Sequence, residues 1–376
     1  MIRLGDAATY INGYAFKPKD RGEEGLPIIR IQDLTGNAYD LGFYDGEYPE
    51  KIEINDGDVL ISWSASLGVY VWNRGKALLN QHIFKVAFDK IEIDRNYFVY
   101  AVRYKLAEIG MKTHGATMKH IVKKDFDATQ IPYPSLKKQV EIANNLDEIL
   151  KIIEARKTEL SLLDNLIKAR FVEMFGDPDT NPKRWNECAL SEKLNVVGGY
   201  AFKSDGFSEG SGIPVLRIGN INAGFFRPVN LVYWQEDESL DRYAMHPGDL
   251  VMSLTGTVGK DDYGNVCILG DDYDMYYLNQ RNAKLEIIEG IDKFYLSQLL
   301  KFKRIKKKLT GISRGVRQAN ISNKDILNLV VPVPPMELQR QFADFINQVD
   351  KSKVAIQAAL DKSQLLFDSL MQKYFG

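Results

Sequence analysis

Gly-Tyr-Ala-Phe-Lys occupies residues 13–17 of the chain and returns letter for letter at residues 199–203. The segments that follow each copy also match: Leu26-Pro27-Ile28-Ile29-Arg30-Ile31 with Ile213-Pro214-Val215-Leu216-Arg217-Ile218, Leu79-Asn80-Gln81 with Leu278-Asn279-Gln280, and Ile131-Pro132-Tyr133-Pro134 with Val331-Pro332-Val333-Pro334. A repeat of this size far exceeds the roughly 20 to 50 residues of stacked solenoid units. The sequence therefore predicts two similar domains, each a complete copy.

Length and composition agree with two domains. The chain has 376 residues, so each half is long enough to bury its own core. No apolar run approaches the roughly 18 residues needed to cross a membrane, and the N-terminal residues contain no apolar signal segment. The two cysteines, Cys188 and Cys267, have no metal-ligand spacing and are expected as reduced thiols. We expect a cytoplasmic protein without a membrane partner and without a metal.

Each half changes character along its length. Short β-branched and aromatic runs separated by Gly, Asn and Asp predict a mixed sheet of many short strands in residues 1–96 and 189–293. A helical segment follows near 96–111 and near 292–309. A Gly-containing loop and a Pro-rich strand then close each globular part. The prediction is a mixed α/β domain, present twice.

A long helix follows each globular part. Apolar residues spaced three and four apart form the a/d seam of a coiled coil. The first seam runs through Leu146, Ile149, Ile153, Arg156, Leu160, Leu163, Ile167, Arg170 and Met174, and the second through Ile346, Val349, Lys353, Ile356, Leu360, Ser363, Phe367, Leu370 and Tyr374. Polar residues in both seams argue against a strong homodimer, so we expect the two helices to pair antiparallel within the chain. The alternative is two unrelated amphipathic helices, each packed on its own domain.

The expected fold class is therefore α+β: two similar mixed α/β domains separated by two long helices that form an antiparallel coiled coil. The expected ranges are 1–135 for the first domain, 136–188 for the central helix and linker, 189–335 for the second domain and 336–376 for the C-terminal helix.

The ordered set of motifs resembles the DNA-specificity subunit of type I restriction–modification systems. The motifs are the Gly-Tyr-Ala-Phe-Lys turn, the Gly-Asp-Val/Leu strands at 57 and 248, Leu-Asn-Gln, the Ile-Pro-x-Pro start of the helix with Gln139 or Gln339, and Phe175-Gly176-Asp177-Pro178 at the helix end. The resemblance covers nearly the whole chain. It implies two target-recognition domains that read a bipartite double-stranded DNA sequence. It also implies helices that dock two methyltransferase subunits and, through them, restriction subunits.

The resemblance further implies a subunit without catalytic residues or cofactor. Consistent with this, the sequence lacks the Asn/Asp-Pro-Pro-aromatic run with which a DNA amino-methyltransferase holds its target base. Two alternatives from other classes stay open, a fragment of a fused restriction or methyltransferase enzyme and a coiled-coil scaffold that does not bind DNA.

Charge and hydrogen-bonding side chains point to candidate DNA contacts. A basic band recurs at the same place in both halves, which favours a polyanion footprint over a solvated helix face. Base-contact candidates are polar residues that follow a strand or occupy the glycine-containing loop: Asn80, Gln81, His82, Asn279, Gln280, Arg281, Thr117, Lys119, His120, Arg317, Gln318 and Asn320. Phosphate-contact candidates are Lys17, Lys203, Ser62, Ser64, Ser253, Thr255, Lys306, Lys307, Lys308 and Arg314.

Several of these candidates have a structural alternative. Asn-Gln is identical in both copies and could bond nearby backbone, so the differing third position, His82 against Arg281, is the better reader of bases. The serines and Thr255 could simply belong to turns. Arg30 and Arg217, inside apolar strands, are equally compatible with ion pairs and with DNA contacts.

Overall fold

The structure is a computed structural model that describes residues 1–36, 40–112, 121–260, 262–310 and 318–376, with the backbone alone at residues 110–112 and 318. Its α-helices within these ranges are α1 (Leu4–Ala7), α2 (Ile31–Thr35), α3 (Arg95–Lys112), α4 (Lys123–Ala128), α5 (Leu136–Phe175), α6 (Ile218–Ile221), α7 (Lys293–Leu300), α8 (Lys303–Thr310), α9 (Asn323–Leu327) and α10 (Met336–Phe375).

The strands of the first half are β1 (Ile2–Arg3), β2 (Thr9–Asn12), β3 (Leu26–Ile29), β4 (Gly42–Tyr44), β5 (Glu53–Ile54), β6 (Val59–Ser62), β7 (Gly68–Val71), β8 (Ala77–Leu79), β9 (Ile83–Ala87) and β10 (Gln130–Ile131). Those of the second half are β11 (Glu187–Ala189), β12 (Leu194–Gly198), β13 (Ile213–Leu216), β14 (Tyr233–Trp234), β15 (Ala244–Met245), β16 (Leu250–Ser253), β17 (Thr255–Thr257), β18 (Val266–Ile268), β19 (Tyr276–Leu278), β20 (Asn282–Ile287), β21 (Gln318–Asn320) and β22 (Val330–Pro332).

The chain divides into two compact units. Unit 1 contains Met1–Thr158 and Gln357–Gly376, and unit 2 contains Glu159–Ile356. Both long helices, α5 and α10, therefore contribute residues to both units. The four ranges expected from the sequence separate the globular parts from the long helices, whereas the compact units each include part of both helices. The four ranges therefore stay a prediction.

Strand order shows that the two units repeat one architecture. Unit 1 has a four-stranded antiparallel sheet, β2-β9-β6-β7, and a second four-stranded sheet, β4-β3-β8-β5, in which β3 and β8 run parallel. Unit 2 has the corresponding sheets β12-β20-β16-β18 and β14-β13-β19-β15, with β13 and β19 parallel. The internal repeat is confirmed. Instead of the single mixed sheet expected in each half, each unit has two four-stranded sheets together with two-stranded ones: β1-β10 in unit 1, and β11-β22 and β17-β21 in unit 2.

Strands β6 and β16 are apolar at consecutive positions because each is buried on both faces. Val59 and Ile61 of β6 belong to one hydrophobic cluster, while Leu60 belongs to another. The corresponding strand β16 likewise divides its residues between two clusters. Alternate side chains of a strand point to opposite faces, so a strand buried on both faces needs an uninterrupted apolar run.

The helical segment expected near 292–309 is two helices, α7 and α8. Asp292 caps α7 through bonds from the N–H groups of Phe294 and Tyr295. Lys301 ends it, and Phe302 lies between the helices with its ring centroid 5.0 Å from that of Phe171. The interruption depends on this tertiary contact and has no Pro or Gly signal in the sequence.

The two long helices run antiparallel within unit 1. Tyr97 packs its ring 5.2 Å from Phe375 at the end of α10, and its hydroxyl donates to the Pro132 carbonyl, close to the start of α5. One turn further along α3, Tyr100 donates to Asp147 of α5 at 2.5 Å, and its ring lies 6.2 Å from Phe367 of α10.

Unit 2 shows the same antiparallel pairing with the opposite ends of these helices. Phe342 near the start of α10 packs against Phe171 and Phe175 near the end of α5, at 5.5 and 5.4 Å. Lys353, a polar interruption of the seam, donates to Asp164 of α5 at 2.8 Å. The residues expected in the two seams are buried or half-buried throughout. The predicted antiparallel pair is therefore confirmed within each unit.

Gln139 and Gln339 join each long helix to its domain. Each is buried, accepts a hydrogen bond from the backbone N–H of Asp94 or Asp292, and donates to the carbonyl of Pro134 or Pro334. No helix within the described residues is long and apolar enough to span a membrane.

Candidate nucleic-acid interface

Two motifs that are distant in the sequence form one element in each unit. The Gly-Tyr-Ala-Phe-Lys turn lies across the end of the Leu-Asn-Gln strand through backbone hydrogen bonds. In unit 1, Tyr14 N–H donates to Leu79 O at 2.8 Å and Gln81 N–H donates to Tyr14 O at 2.9 Å. In unit 2, the same two bonds join Tyr200 to Leu278 and Gln280, both at 2.8 Å. We call this element the turn–strand bridge.

The glycine of the motif is required by this crossing. A Cβ at Gly13 would lie 2.1 Å from the carbonyl oxygen of Asn80, and a Cβ at Gly199 would lie 2.1 Å from that of Asn279. Both contacts are with backbone, which cannot rotate away as a side chain can. Glycine is therefore the residue that lets the two segments approach.

The turn–strand bridge exposes the same side chains in both units. Gln81 and Gln280 are exposed, as are Lys17 and Lys203, and these side chains have no hydrogen-bond or ion-pair partner within the described residues. Lys17 and Lys203 begin short 3-10 turns, so their backbone is fixed while the ammonium groups face solvent. These four candidates keep the accessibility that a DNA contact requires.

Tyr14 and Tyr200 were not among the candidates from the sequence, although the structure exposes them beside those side chains. Their relative exposures are 44% and 39%, which is high for tyrosine. The sequence contained a signal for these tyrosines: both copies have the tyrosine, and it lies in a turn rather than in an apolar strand, where it would be buried.

Asn80 and Asn279 are half-buried and belong partly to the structure of the bridge. The side-chain oxygen of Asn279 accepts the Arg281 N–H at 3.3 Å. The side-chain oxygen of Asn80 is buried and has no hydrogen-bond partner within the described residues. The interpretation that this asparagine bonds nearby backbone is thus supported for Asn279 in unit 2 and not for the side-chain oxygen of Asn80 in unit 1.

The differing third position has different geometry in the two units. His82 adopts a φ of 71°, lies half-buried with its ring 5.0 Å from Trp63, and keeps Nδ1 buried without a hydrogen-bond partner in the described part of the chain. Arg281 has no positive φ and is exposed, with no side-chain partner among the described residues. Arg281 is therefore free to reach a base edge, whereas His82 is packed against the domain.

The hydroxyl candidates face inward. Ser62 and Ser253 are completely buried, and Ser64 and Thr255 are nearly so. The Ser62 hydroxyl donates to the Ser66 carbonyl, and the Ser253 hydroxyl accepts the Asn265 N–H at 3.1 Å. These bonds join Ser62 and Ser253 to backbone within their own domain, and because all four side chains are buried we leave them out of the proposed contacts.

The basic band of unit 2 separates into buried and exposed members. Lys306 is 8% exposed and donates from Nζ to the side-chain oxygen of Asn265 at 2.7 Å. Lys307 and Lys308 are exposed on the same helix, α8. Of these three lysines, Lys307 and Lys308 keep the accessibility that a phosphate contact requires.

Arg30 and Arg217 hold their own loops. Arg30 pairs with Asp33 at 3.1 Å, and Arg217 donates to the Asn230 carbonyl. The ion-pair alternative is thus supported for Arg30, whereas Arg217 is held by a backbone carbonyl.

Part of the candidate set lies outside the described residues: Thr117, Lys119, His120, Arg314 and Arg317. Gln318 is described by its backbone, in β21, whose partner is β17. Asn320 ends that strand opposite Thr255 and is exposed. Among the described residues, no group of three or more His, Cys, Asp or Glu side chains could hold a metal ion.

The comparisons with known proteins agree on one family. The family described as the type I restriction modification DNA specificity domain matches residues 1–163 and again residues 182–364. The EcoBI type I restriction enzyme specificity subunit of Escherichia coli is 23% identical, over 100% of this chain and 85% of that protein. The MjaVIII specificity subunit of Methanocaldococcus jannaschii is 26% identical, over 93% and 85%.

Two solved structures share the fold. One is the crystal structure of a type I restriction-modification S subunit from M. genitalium, with a TM-score of 0.55 and 16% identity over 100% of this chain and 95% of that one. The other comes from work on complex assembly and conformational transition of the type I R-M system, with a TM-score of 0.56 and 16% identity over 100% and 96%.

Proposed function

Because this chain belongs to the type I restriction modification DNA specificity family, we propose that each of its two domains reads one half of a bipartite double-stranded DNA target. The family consists of non-catalytic specificity subunits, so the chain supplies sequence recognition and its partners supply the chemistry.

One observation carries the proposal. The turn–strand bridge occurs in both units with the same backbone bonds and the same exposed glutamine and lysine, yet it ends in different residues, His82 and Arg281. A repeated element with one differing position suits two readers that bind the same kind of polymer at different sequences. Arg281 can donate two hydrogen bonds to a guanine edge in the major groove, the commonest specific contact of arginine.

Exposed lysines on the same domains suit the phosphate backbone. Lys17 and Lys203 belong to the two bridges, and Lys307 and Lys308 extend unit 2 with two further cations. Each phosphate neutralised releases counterions, which makes binding salt-dependent and adds affinity at every sequence. The net charge of the chain is only −1, so this local clustering matters more than the total.

The long helices are the proposed docking sites for two methyltransferase subunits, which in turn bind the restriction subunits. Leu166 of α5 and Leu366 of α10 occupy corresponding positions and are 47% and 51% exposed, although their neighbours Ile167 and Phe367 are buried in the helix pair. Leu162 and Leu365 add further exposed apolar surface. Leu162 and Leu166 lie one turn apart and Leu365 and Leu366 are adjacent, so each helix carries a contiguous exposed apolar patch, and such patches mark interaction sites.

Reconstitution tests the proposal. The purified chain alone should bind duplex DNA and transfer no methyl group, and addition of its methyltransferase subunit should produce methylation confined to one split sequence. An unrelated duplex of equal length serves as the control. Methyl transfer by the chain alone would contradict a specificity subunit, and absence of salt-dependent DNA binding would favour a scaffold.

A further inference from the structure

A set of exposed hydrogen-bond donors recurs without change in the two turn–strand bridges. We call it the Tyr-Gln-Lys patch, and its members are Tyr14, Gln81 and Lys17 in unit 1 and Tyr200, Gln280 and Lys203 in unit 2. Backbone bonds join the tyrosine directly to the glutamine in both units. The patch is therefore one local structure, built twice from segments more than sixty residues apart in the sequence.

The tyrosine rings are anchored although they are exposed. The Tyr14 ring meets Phe16 edge-on at 5.0 Å and 70°, and the Tyr200 ring meets Phe202 at 4.9 Å and 78°. Tyr200 also packs 5.3 Å from Tyr243. These contacts hold the rings, while both hydroxyls stay without a hydrogen-bond partner within the residues that the structure describes. A hydroxyl that is held in place and has no partner can donate a hydrogen bond to an acceptor on a bound molecule.

We propose that in each domain the Tyr-Gln-Lys patch binds a backbone phosphate of duplex DNA, with the tyrosine hydroxyl as a neutral donor and the lysine as the charged one. This inference rests on the proposed function. The tyrosine hydroxyl, the glutamine amide and the lysine ammonium all donate hydrogen bonds, and phosphate oxygens accept them without regard to sequence.

Identity between the domains favours a phosphate over a base. Residues that are the same in two domains cannot by themselves make those domains read different sequences, whereas the phosphate backbone is the same at both halves of any target. The differing residue, His82 or Arg281, directly follows the patch glutamine. In unit 2 the patch thus fixes the register from which the exposed Arg281 meets the bases.

The same identity would also allow contact with two copies of a protein partner. The patch argues against this, because its exposed surface is rich in donors and carries an exposed lysine. The exposed leucines that suit a protein partner lie on the long helices instead. Protein contact is therefore the competing outcome of the test below.

The test uses the full chain with Tyr14→Phe, Tyr200→Phe and the double substitution, each of which removes a hydroxyl and keeps the ring. Tyr133→Phe is the control for loss of a tyrosine hydroxyl outside the patch. Tyr133 is 39% exposed, its hydroxyl donates to the Glu92 carbonyl at 2.8 Å, and it corresponds to Val333 in the second copy, so this variant reports the effect of a lost hydroxyl bond on the fold alone. Binding is measured across a salt series to a duplex carrying the target found in the methylome and to an unrelated duplex. Association with the methyltransferase subunit is measured in parallel.

Each patch substitution should weaken binding to both duplexes by the same factor, roughly 10- to 100-fold, because one hydrogen bond to a charged phosphate oxygen is lost. The slope of log K against log salt should stay unchanged for the Phe variants. It should flatten by up to about 0.9 for each of Lys17→Ala and Lys203→Ala, since a phosphate is then no longer neutralised.

Several results would overturn the inference. Phe variants that bind both duplexes as the parent does would show that the hydroxyls contact nothing, and weakening on the target duplex alone would make the tyrosines readers of bases. Loss of methyltransferase association with DNA binding intact would make the patch a protein contact. If the parent chain itself binds no duplex DNA, the proposed function fails together with the inference.

Discussion

The turn–strand bridge predicts a large difference between two glycine-to-alanine substitutions in unit 2, Gly199→Ala and Gly219→Ala. The Cβ added at Gly199 would lie 2.1 Å from the Asn279 carbonyl oxygen and 2.3 Å from its carbon. Nonbonded carbon and oxygen atoms settle at roughly 3.5 Å, so the two backbones would have to separate by more than about 1 Å.

That separation would break the bonds that Tyr200 makes with Leu278 and Gln280, both 2.8 Å long. Overpacking of this kind costs about 1–3 kcal/mol, and each lost hydrogen bond adds about 0.5–1.5 kcal/mol. We therefore expect Gly199→Ala to lower the free energy of unfolding by about 2–6 kcal/mol and to weaken DNA binding, because Gln280 and Arg281 lose their position.

Gly219→Ala is the control in the same unit. No heavy atom lies within 4 Å of the added Cβ, and Gly219 belongs to helix α6 with no positive φ. Its free energy of unfolding should stay within about 0.5–1 kcal/mol of the parent, with alanine favoured by its helix propensity. Guanidinium denaturation of the full chain and duplex binding measure both variants. Equal unfolding midpoints for the two substitutions, with DNA binding retained, would refute the close crossing.

Three further predictions follow from the structure. Lys307→Ala with Lys308→Ala should flatten the salt dependence of DNA binding. Lys306→Ala should instead destabilise the fold by about 1–3 kcal/mol, because the side-chain oxygen of Asn265 loses its bond from Nζ. A flattened slope for Lys306→Ala with full stability would contradict the burial of this lysine. Burial raises the pKa of the Cys267 thiol to about 12. At pH 8 an alkylating reagent should therefore modify the partly exposed Cys188 in the folded chain and Cys267 only after unfolding. Equal rates of alkylation of the two cysteines in the folded chain would contradict this. Inserting seven residues into each long helix keeps the apolar seam and adds about 10 Å to each helix. The methylome should then show a changed spacer or weaker methylation, with the same bases in each half-site. An unchanged spacer at full activity would contradict the proposal that the helices set the distance between the half-sites.

The repeat and the long helices could be predicted from the sequence because both are local patterns. Letter-for-letter identity reveals a duplication without knowledge of the fold, and an apolar spacing of three and four specifies a helix face directly. The antiparallel direction followed from the order of domain and helix. The pairing of Lys353 with Asp164 shows how a polar residue in the seam is accommodated.

The division of each domain into separate sheets could not be predicted in this way. β6 supplies Val59 and Ile61 to one core and Leu60 to another, and an uninterrupted apolar run does not reveal which sheets cover its two faces. The break between α7 and α8 likewise depends on Phe302 meeting Phe171, a contact between residues far apart in the chain.

The candidate site was predicted in part. Composition located Lys306, Lys307 and Lys308 together but could not separate the buried member from the exposed ones, because that depends on which helix face meets Asn265. The hydroxyls of Ser62 and Ser253 were compatible with turns or with phosphates, and the structure shows bonds within the turns. Tyr14 and Tyr200 were missed because only the tertiary crossing brings them beside Gln81 and Gln280.

Reading of one half-site by each domain is tested by the methylome of cells whose complex carries Arg281→Ala, compared with the parent and with Lys203→Ala. In the Arg281→Ala cells, discrimination between bases should fall by about 1–3 kcal/mol per lost base contact in one half of the methylated sequence, while the other half keeps its bases. Lys203→Ala should lower methylation at the parent sequence without relaxing either half. Relaxation of both halves by Arg281→Ala, or an unchanged sequence in an intact complex, would contradict reading of one half-site by each domain.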